Sequence, residues 1–142
     1  VGLAAIVYLS GHTAMNGGAV AKTYLAIASA KGSLSLTEAF FRGMLCNVLV
    51  CMAVWMTLAG RSVMDKFIAI VFPISAFVAA GFEHSIANMY FFPLAMLLGA
   101  PLDAADMARN LLPVIAGNLV GGSVLVALVY WLIYLRPGAA RP

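Results

Sequence analysis

The stretch Gly81-Phe82-Glu83-His84-Ser85-Ile86-Ala87-Asn88 decides the fold. It sits in the middle of Phe67 to Leu98, a run of 32 residues that is otherwise apolar. A helix rises ~1.5 Å per residue, so about 20 residues cross the hydrocarbon layer of a bilayer. The run is too long for one straight crossing. It carries a glycine, a carboxylate, an imidazole and an amide at membrane depth. Irregular backbone is tolerated there only where protein or a water-filled cavity satisfies it. The reading is two half-helices, Phe67 to about Ala80 and about Ser85 to Leu98, with the polar segment between them.

The rest of the chain agrees with a membrane setting. Of 142 residues, 64% are hydrophobic and 9% charged, and the mean hydropathy is +1.03. A soluble domain carries roughly 45–50% apolar and ~25% charged residues, so a soluble globular protein is excluded. The net charge of +3 comes from eight scattered Lys and Arg. No basic run tracks a phosphate backbone, so no nucleic-acid partner is expected. Cys46 and Cys51 lie five apart in one apolar run and read as small apolar fillers, not as a disulfide or metal pair.

Working outward, Val1 to Ser10 is apolar and about half a span long, as though a helix were entered midway; a fragment is expected. Gly11 to Gly18 reads as a loop. Ala19 to Ala30 reads as a helix at the membrane surface. Lys31 to Thr37 is a break, with Thr37 as a candidate helix cap ahead of Glu38. A span follows over about 39–58, then the polar turn GRSVMDK (60–66). Gly99 to Asn110 reads as an aqueous loop, Leu111 to Leu135 as the last span, and the tail RPGAARP as disordered. The fold class is therefore an all-α membrane protein, one transmembrane domain with a discontinuous helix. Lys22, Lys31, Arg42 and Arg109 balance Arg61, Lys66, Arg136 and Arg141 across the layer, so positive-inside counting gives no orientation. If Lys31 and Arg42 face a pore, they leave the count, and the Arg61/Lys66 turn becomes cytoplasmic.

The chemistry concentrates at the break. A second half-helix starting just after His84 would turn its N–H groups and positive dipole end toward the site, which suits an anion. His84 titrates near neutrality and is suited to hydrogen-bond a small carboxylate or lend it a proton; the bland alternative is a bond to a backbone carbonyl. Glu83 would repel an anion and is assigned a structural role, capping backbone N–H groups or pairing with Arg42 or Lys31. A proton relay with His84 is its alternative. Asn88, four residues after His84, falls on the same helical face and is placed to donate to an oxyanion. Its alternative is an interhelical hydrogen bond of the kind expected of Asn47 and Asn118. Phe77, two turns before His84, and Phe82 are candidates for an apolar constriction. Gly117, Gly121 and Gly122 in GNLVGG permit close helix contact, and Trp131 and Tyr134 suit an interfacial anchor. No nucleophile–base set and no HExxH-type spacing is present, so enzymatic chemistry by Glu83 and His84 is disfavoured. No cofactor or metal is expected.

The blocks AMNGG (14–18), Lys31, RGMLCNVLVCMAVWM (42–56), GRSVMDK (60–66), GFEHSIANMYFFP (81–93) and NLLPVIAGNLVGG (110–122) occur in this order. In these the chain resembles the formate/nitrite transporter family. The resemblance implies an aquaporin-like helix bundle, assembled as a homopentamer in which each subunit holds its own pore. It implies that this chain supplies the C-terminal half of a subunit: the end of the third helix, the fourth (~39–58), the broken fifth (~67–98) and the sixth (~111–135). It implies His84 as the central pore histidine, with Lys31 and Asn88 beside it, Phe77 at a constriction, and Lys31 drawing in the anion. The blocks GRSVMDK and GFEHSIANMYFFP favour formate over nitrite as the small monovalent anion, with hydrosulfide third. A non-conducting membrane subunit is the other alternative. The expected location is the inner (plasma) membrane, as a multi-pass protein in the lipid bilayer.

Overall fold

The structure, a computed structural model, describes residues 1–136; the expectation of disorder for the tail concerns residues 137–142 and lies outside them. The described chain is helical. Helix α1 (Gly2–Leu9) is followed by two 3-10 turns, His12–Ala14 and Asn16–Gly18, and by α2 (Ala19–Gly32). Next come α3 (Leu36–Ala59), α4 (Val63–Ala79), α5 (Ser85–Leu97) and α6 (Ala104–Val120). The last helix continues in the wider π-helical winding over Gly121–Leu128 and Trp131–Leu135, an unbroken Ala104–Leu135 of 32 residues. Helix α3 and this long helix are apolar and long enough to cross a bilayer.

Three helix starts are set by the same reciprocal cap. At Ser35 the hydroxyl accepts from the Glu38 N–H at 3.2 Å, and the Glu38 carboxylate accepts from the Ser35 N–H at 3.0 Å. Ser62 with Asp65 and Asp103 with Asp106 repeat the arrangement. These caps correct three expected boundaries. Ser35, not Thr37, caps α3, because only Ser35 stands three residues ahead of Glu38. The first half-helix begins at Val63, four residues earlier than expected. The last helix begins at Ala104, inside the stretch read as an aqueous loop. Asp103 and Asp106 are there to close a helix end, not to solvate a loop.

Helix α3 lies along α6 at backbone contact distance, and glycines make this possible. A Cβ on Gly43 would stand 2.8 Å from the Val114 carbonyl oxygen. One on Gly117 would meet the Phe40 carbonyl, and one on Gly121 the Met44 carbonyl. The small-residue pattern read in the sequence is thus the α3–α6 seam. Between these helices Asn47 Nδ2 donates to the Asn118 carbonyl at 2.6 Å. The enclosed apolar residues are mostly small or central, such as Ala28, Ala39, Cys46, Phe92, Leu94 and Val114, whereas Glu83, Asn88 and Asn110 are buried polar groups. Large apolar side chains such as Leu9, Leu58 and Val63 point outward. Buried polar groups together with large apolar side chains turned outward suit a lipid surround. Cys46 and Cys51 are both free thiols.

Gly117→Ala is expected to destabilise the folded protein by about 1–3 kcal/mol, because backbone on α3 must move to admit the methyl group. Gly2→Ala, where a Cβ meets open space, is the matched control and is expected to be neutral. Unfolding midpoints in mixed micelles read both; equal midpoints would count against the close seam.

Candidate functional site

The break between α4 and α5 is built from backbone outward. Helix α4 ends in a two-bond C-terminal lock: the Gly81 N–H donates to the Val78 carbonyl at 3.1 Å, and the Phe82 N–H donates to the Phe77 carbonyl at 3.0 Å. Gly81 has φ +66, the left-handed conformation this lock requires and a side chain resists. The chain then runs extended, and its free groups are taken up by neighbouring helices. The Glu83 N–H donates to the Arg42 carbonyl at 3.3 Å. The Asn118 amide donates to the Glu83 carbonyl at 3.1 Å and to the Gly43 carbonyl at 2.8 Å. Its Oδ1 accepts the Ser85 N–H at 3.1 Å. Asn118 on α6 therefore closes both sides of the break.

His84 occupies the cap position of α5 with extended backbone, φ −114 and ψ 117. Its Nδ1 accepts the Ala87 N–H at 3.4 Å. An imidazole nitrogen that accepts carries no hydrogen, so in the neutral ring the proton is on Nε2. The ring stacks on Phe77, with centroids 5.8 Å apart and planes 17° from parallel. In a continuous helix, seven residues would separate the two by about 10 Å along the axis. The turn at Gly81 brings them together.

His84 and Phe77 line a cavity of about 330 Å³. Lys31, Arg42, Phe82 and Phe91 share its wall. Part of the wall is an ion pair, Lys31 with Glu83. Lys31 Nζ is 2.8 Å from Glu83 Oε1, and the carboxylate side chain is 3% exposed. The Asn88 amide donates to Glu83 Oε2 at 2.6 Å and to Asn110 Oδ1 at 2.7 Å. Asn110 in turn donates to the Lys31 carbonyl at 2.9 Å. Phe91 lies under the ammonium, 5.8 Å from ring centroid to Nζ.

This geometry sorts the residues singled out in the sequence. His84 and Phe77 come together in the cavity. Glu83 pairs with Lys31, not with Arg42; the contact with Arg42 is made by that residue's carbonyl. Glu83 does not cap α5, which is capped by His84 and Asn118. Asn88 is not among the residues that line the cavity, although its backbone N–H donates to the His84 carbonyl at 2.9 Å. Asn88 is fully buried and directs its N–H groups to Glu83 and Asn110. Lys31 presents its charge to Glu83, so its field at the cavity is that of a neutral pair. Asn110 and the bridging role of Asn118 were not legible, since their partners are far away in sequence.

Removing one partner of a buried ion pair leaves the other uncompensated. Lys31→Met and Glu83→Gln are each expected to cost roughly 3 kcal/mol, and the double variant clearly less than the sum. A double-mutant cycle on micellar unfolding checks this; additive losses would mean that the two groups do not interact.

The family model described as formate/nitrite transporter matches residues 1–132. The chain is 44% identical to a probable formate transporter of Methanothermobacter thermautotrophicus, over 80% of this chain and 42% of that protein. It is 39% identical to the formate channel FocA of Escherichia coli K12, over 92% of this chain and 53% of that protein. A solved structure described as a pentameric formate channel with formate bound superposes with a TM-score of 0.84 at 37% identity, covering 94% of this chain and 60% of that one. A second, described as an FNT family ion channel, gives 0.79 at 35%, covering 92% and 54%. The chain spans about half the length of the curated relatives it matches. With a broken helix, a glycine seam and an all-helical bundle that superposes on solved channels of this kind, the chain belongs to the formate/nitrite transporter family.

Proposed function

We propose that the protein conducts formate, and with it the similarly shaped nitrite anion, across the inner (plasma) membrane, working as a homopentamer with His84 at the centre of each pore. The observation that carries this reading is the His84–Phe77 pair facing a cavity at a helix break. The similarity to proteins named as formate channels supports the choice of anion.

The steps follow from the side chains. The cavity wall is aromatic at Phe77, Phe82 and Phe91, so an entering anion loses water. A bare carboxylate without partners costs several kcal/mol there. His84 offsets part of that cost by donating from Nε2, the nitrogen left protonated when Nδ1 caps α5. Lending a proton to formate needs the imidazolium. To form it, Nδ1 must take up a proton and release the Ala87 N–H. That contact is long, 3.4 Å, and losing a helix cap costs about 1 kcal/mol. Formate takes the Nε2 proton and crosses the apolar segment as neutral formic acid; the ring, left with its hydrogen on Nδ1, caps α5 again once Nε2 has taken up a proton from water and Nδ1 has released its own. Lys31 and Asn88 hold the two oxygens of Glu83, which lines the same cavity, so that its charge is compensated where the anion passes.

Formate flux into proteoliposomes of the complete protein, corrected for protein-free vesicles, is expected to rise as pH falls from about 8 to 5, the range in which an imidazole titrates. His84→Asn keeps an amide donor but cannot titrate, so its flux is expected to be flat across the same range. Wild-type flux without pH dependence, unchanged in His84→Asn, would remove the central histidine from the mechanism. Nitrite flux well above formate flux would assign the protein to nitrite.

A further inference from the structure

We infer that Arg42 draws the anion into the cavity and selects for its shape, a role that the family resemblance gave to Lys31; this rests on the transport reading above. Lys31, Arg42 and His84 are the basic residues that line the cavity. Lys31 is committed to Glu83 at 2.8 Å, so an approaching anion meets a dipole there and not a net charge. Arg42 is placed differently. Its backbone carbonyl accepts the Glu83 N–H, which fixes its Cα beside the break. Its side chain is 42% exposed. The carboxylate facing it, Glu38 Oε1, is 4.0 Å away on the same helix. Glu38 is also engaged with Ser35, whose hydroxyl and N–H reach Oε2 at 2.7 and 3.0 Å. An exposed pair of this length holds its partners weakly, so the guanidinium is available to a competing anion.

The chemistry of that group narrows the ligand. A guanidinium presents a planar fork of N–H donors that matches two oxygens on one centre. Formate and nitrite are both planar two-oxygen anions; chloride is a single sphere and gains only the charge. Arg42 therefore adds attraction for any anion and discrimination in favour of two-oxygen ones. The guanidinium makes no hydrogen bond to another side chain or backbone group among the described residues, so its replacement leaves the buried network around Glu83 intact.

The test is initial formate uptake in proteoliposomes against formate concentration, at low and high ionic strength and with chloride as competitor. Arg42→Gln is expected to raise the half-saturating concentration about three- to tenfold, with maximal flux within about twofold, and to flatten the dependence on ionic strength. Arg42→Lys is expected to keep the salt dependence but lose discrimination against chloride. Glu38→Gln, which removes the competing carboxylate, is expected to lower the half-saturating concentration or leave it unchanged. An Arg42→Gln protein with wild-type half-saturation would overturn the proposal. So would a Glu38→Gln protein that is impaired to the same degree, since that would make the ion pair merely structural. Wild-type vesicles passing neither formate nor nitrite would overturn the transport reading itself, and this proposal with it.

Discussion

A helix interrupted inside an apolar layer must have its released backbone groups satisfied by protein, and this constraint organises the molecule. The lock at Gly81 closes the end of α4 locally, but Glu83 and Ser85 have no such local solution. Their N–H groups and the Glu83 carbonyl are met by Arg42 on α3 and Asn118 on α6. Those partners reach the break only because α3 and α6 are packed backbone against backbone. Gly43, Gly117 and Gly121 are therefore part of the site, although none faces the cavity. Their absent side chains set the helix separation, the separation places Asn118, and Asn118 fixes where His84 starts α5.

The second demand is a carboxylate buried at the same depth. Glu83 is tolerable there because each of its oxygens has a donor: Lys31 on one and Asn88 on the other. Lys31 stands in the last turn of α2, where a cation is favoured by the helix dipole. Asn110 joins Asn88 to the Lys31 carbonyl, so the network ties α2, the break, α5 and α6 together. A buried pair of this kind contributes little net stability compared with apolar packing. Its effect is on arrangement. It holds one register of four segments and leaves the cavity side of Glu83 electrically quiet.

How much of this the sequence disclosed depends on the range of each interaction. The helix break was legible because Gly81, Glu83, His84 and Asn88 interrupt an apolar run too long for one crossing. The glycine seam was legible because its spacing is local to one helix, although its partner helix was not. The start of the last helix was misjudged because Asp103 and Asp106 look like loop charges unless their three-residue spacing is given more weight than their polarity. The site was split in the same way. Phe77 and His84 were linked by a periodicity argument that assumed a continuous helix. They do meet, but through the turn that breaks it. The spacing of Asn88 from His84 does not disclose its side-chain partners, Glu83 and, on α6, Asn110. The Lys31–Glu83 pair was one of several pairings open to Glu83. The two are 52 positions apart, and only the folded chain selects the pair.

The capping geometry of His84 ties the chemistry of the ring to the start of a helix. In a loop, an imidazole would choose its tautomer according to whatever ligand arrived. Here Nδ1 accepts from the α5 backbone, so the neutral ring holds its proton on Nε2. The stacking of Phe77 fixes the plane of the ring as well. Both restraints come from residues adjacent to the break, and both are lost if the helix runs through. The same interruption that costs the chain several backbone bonds thus supplies a preoriented donor inside an apolar wall. A continuous helix of this composition would span the layer more stably and would present no such group.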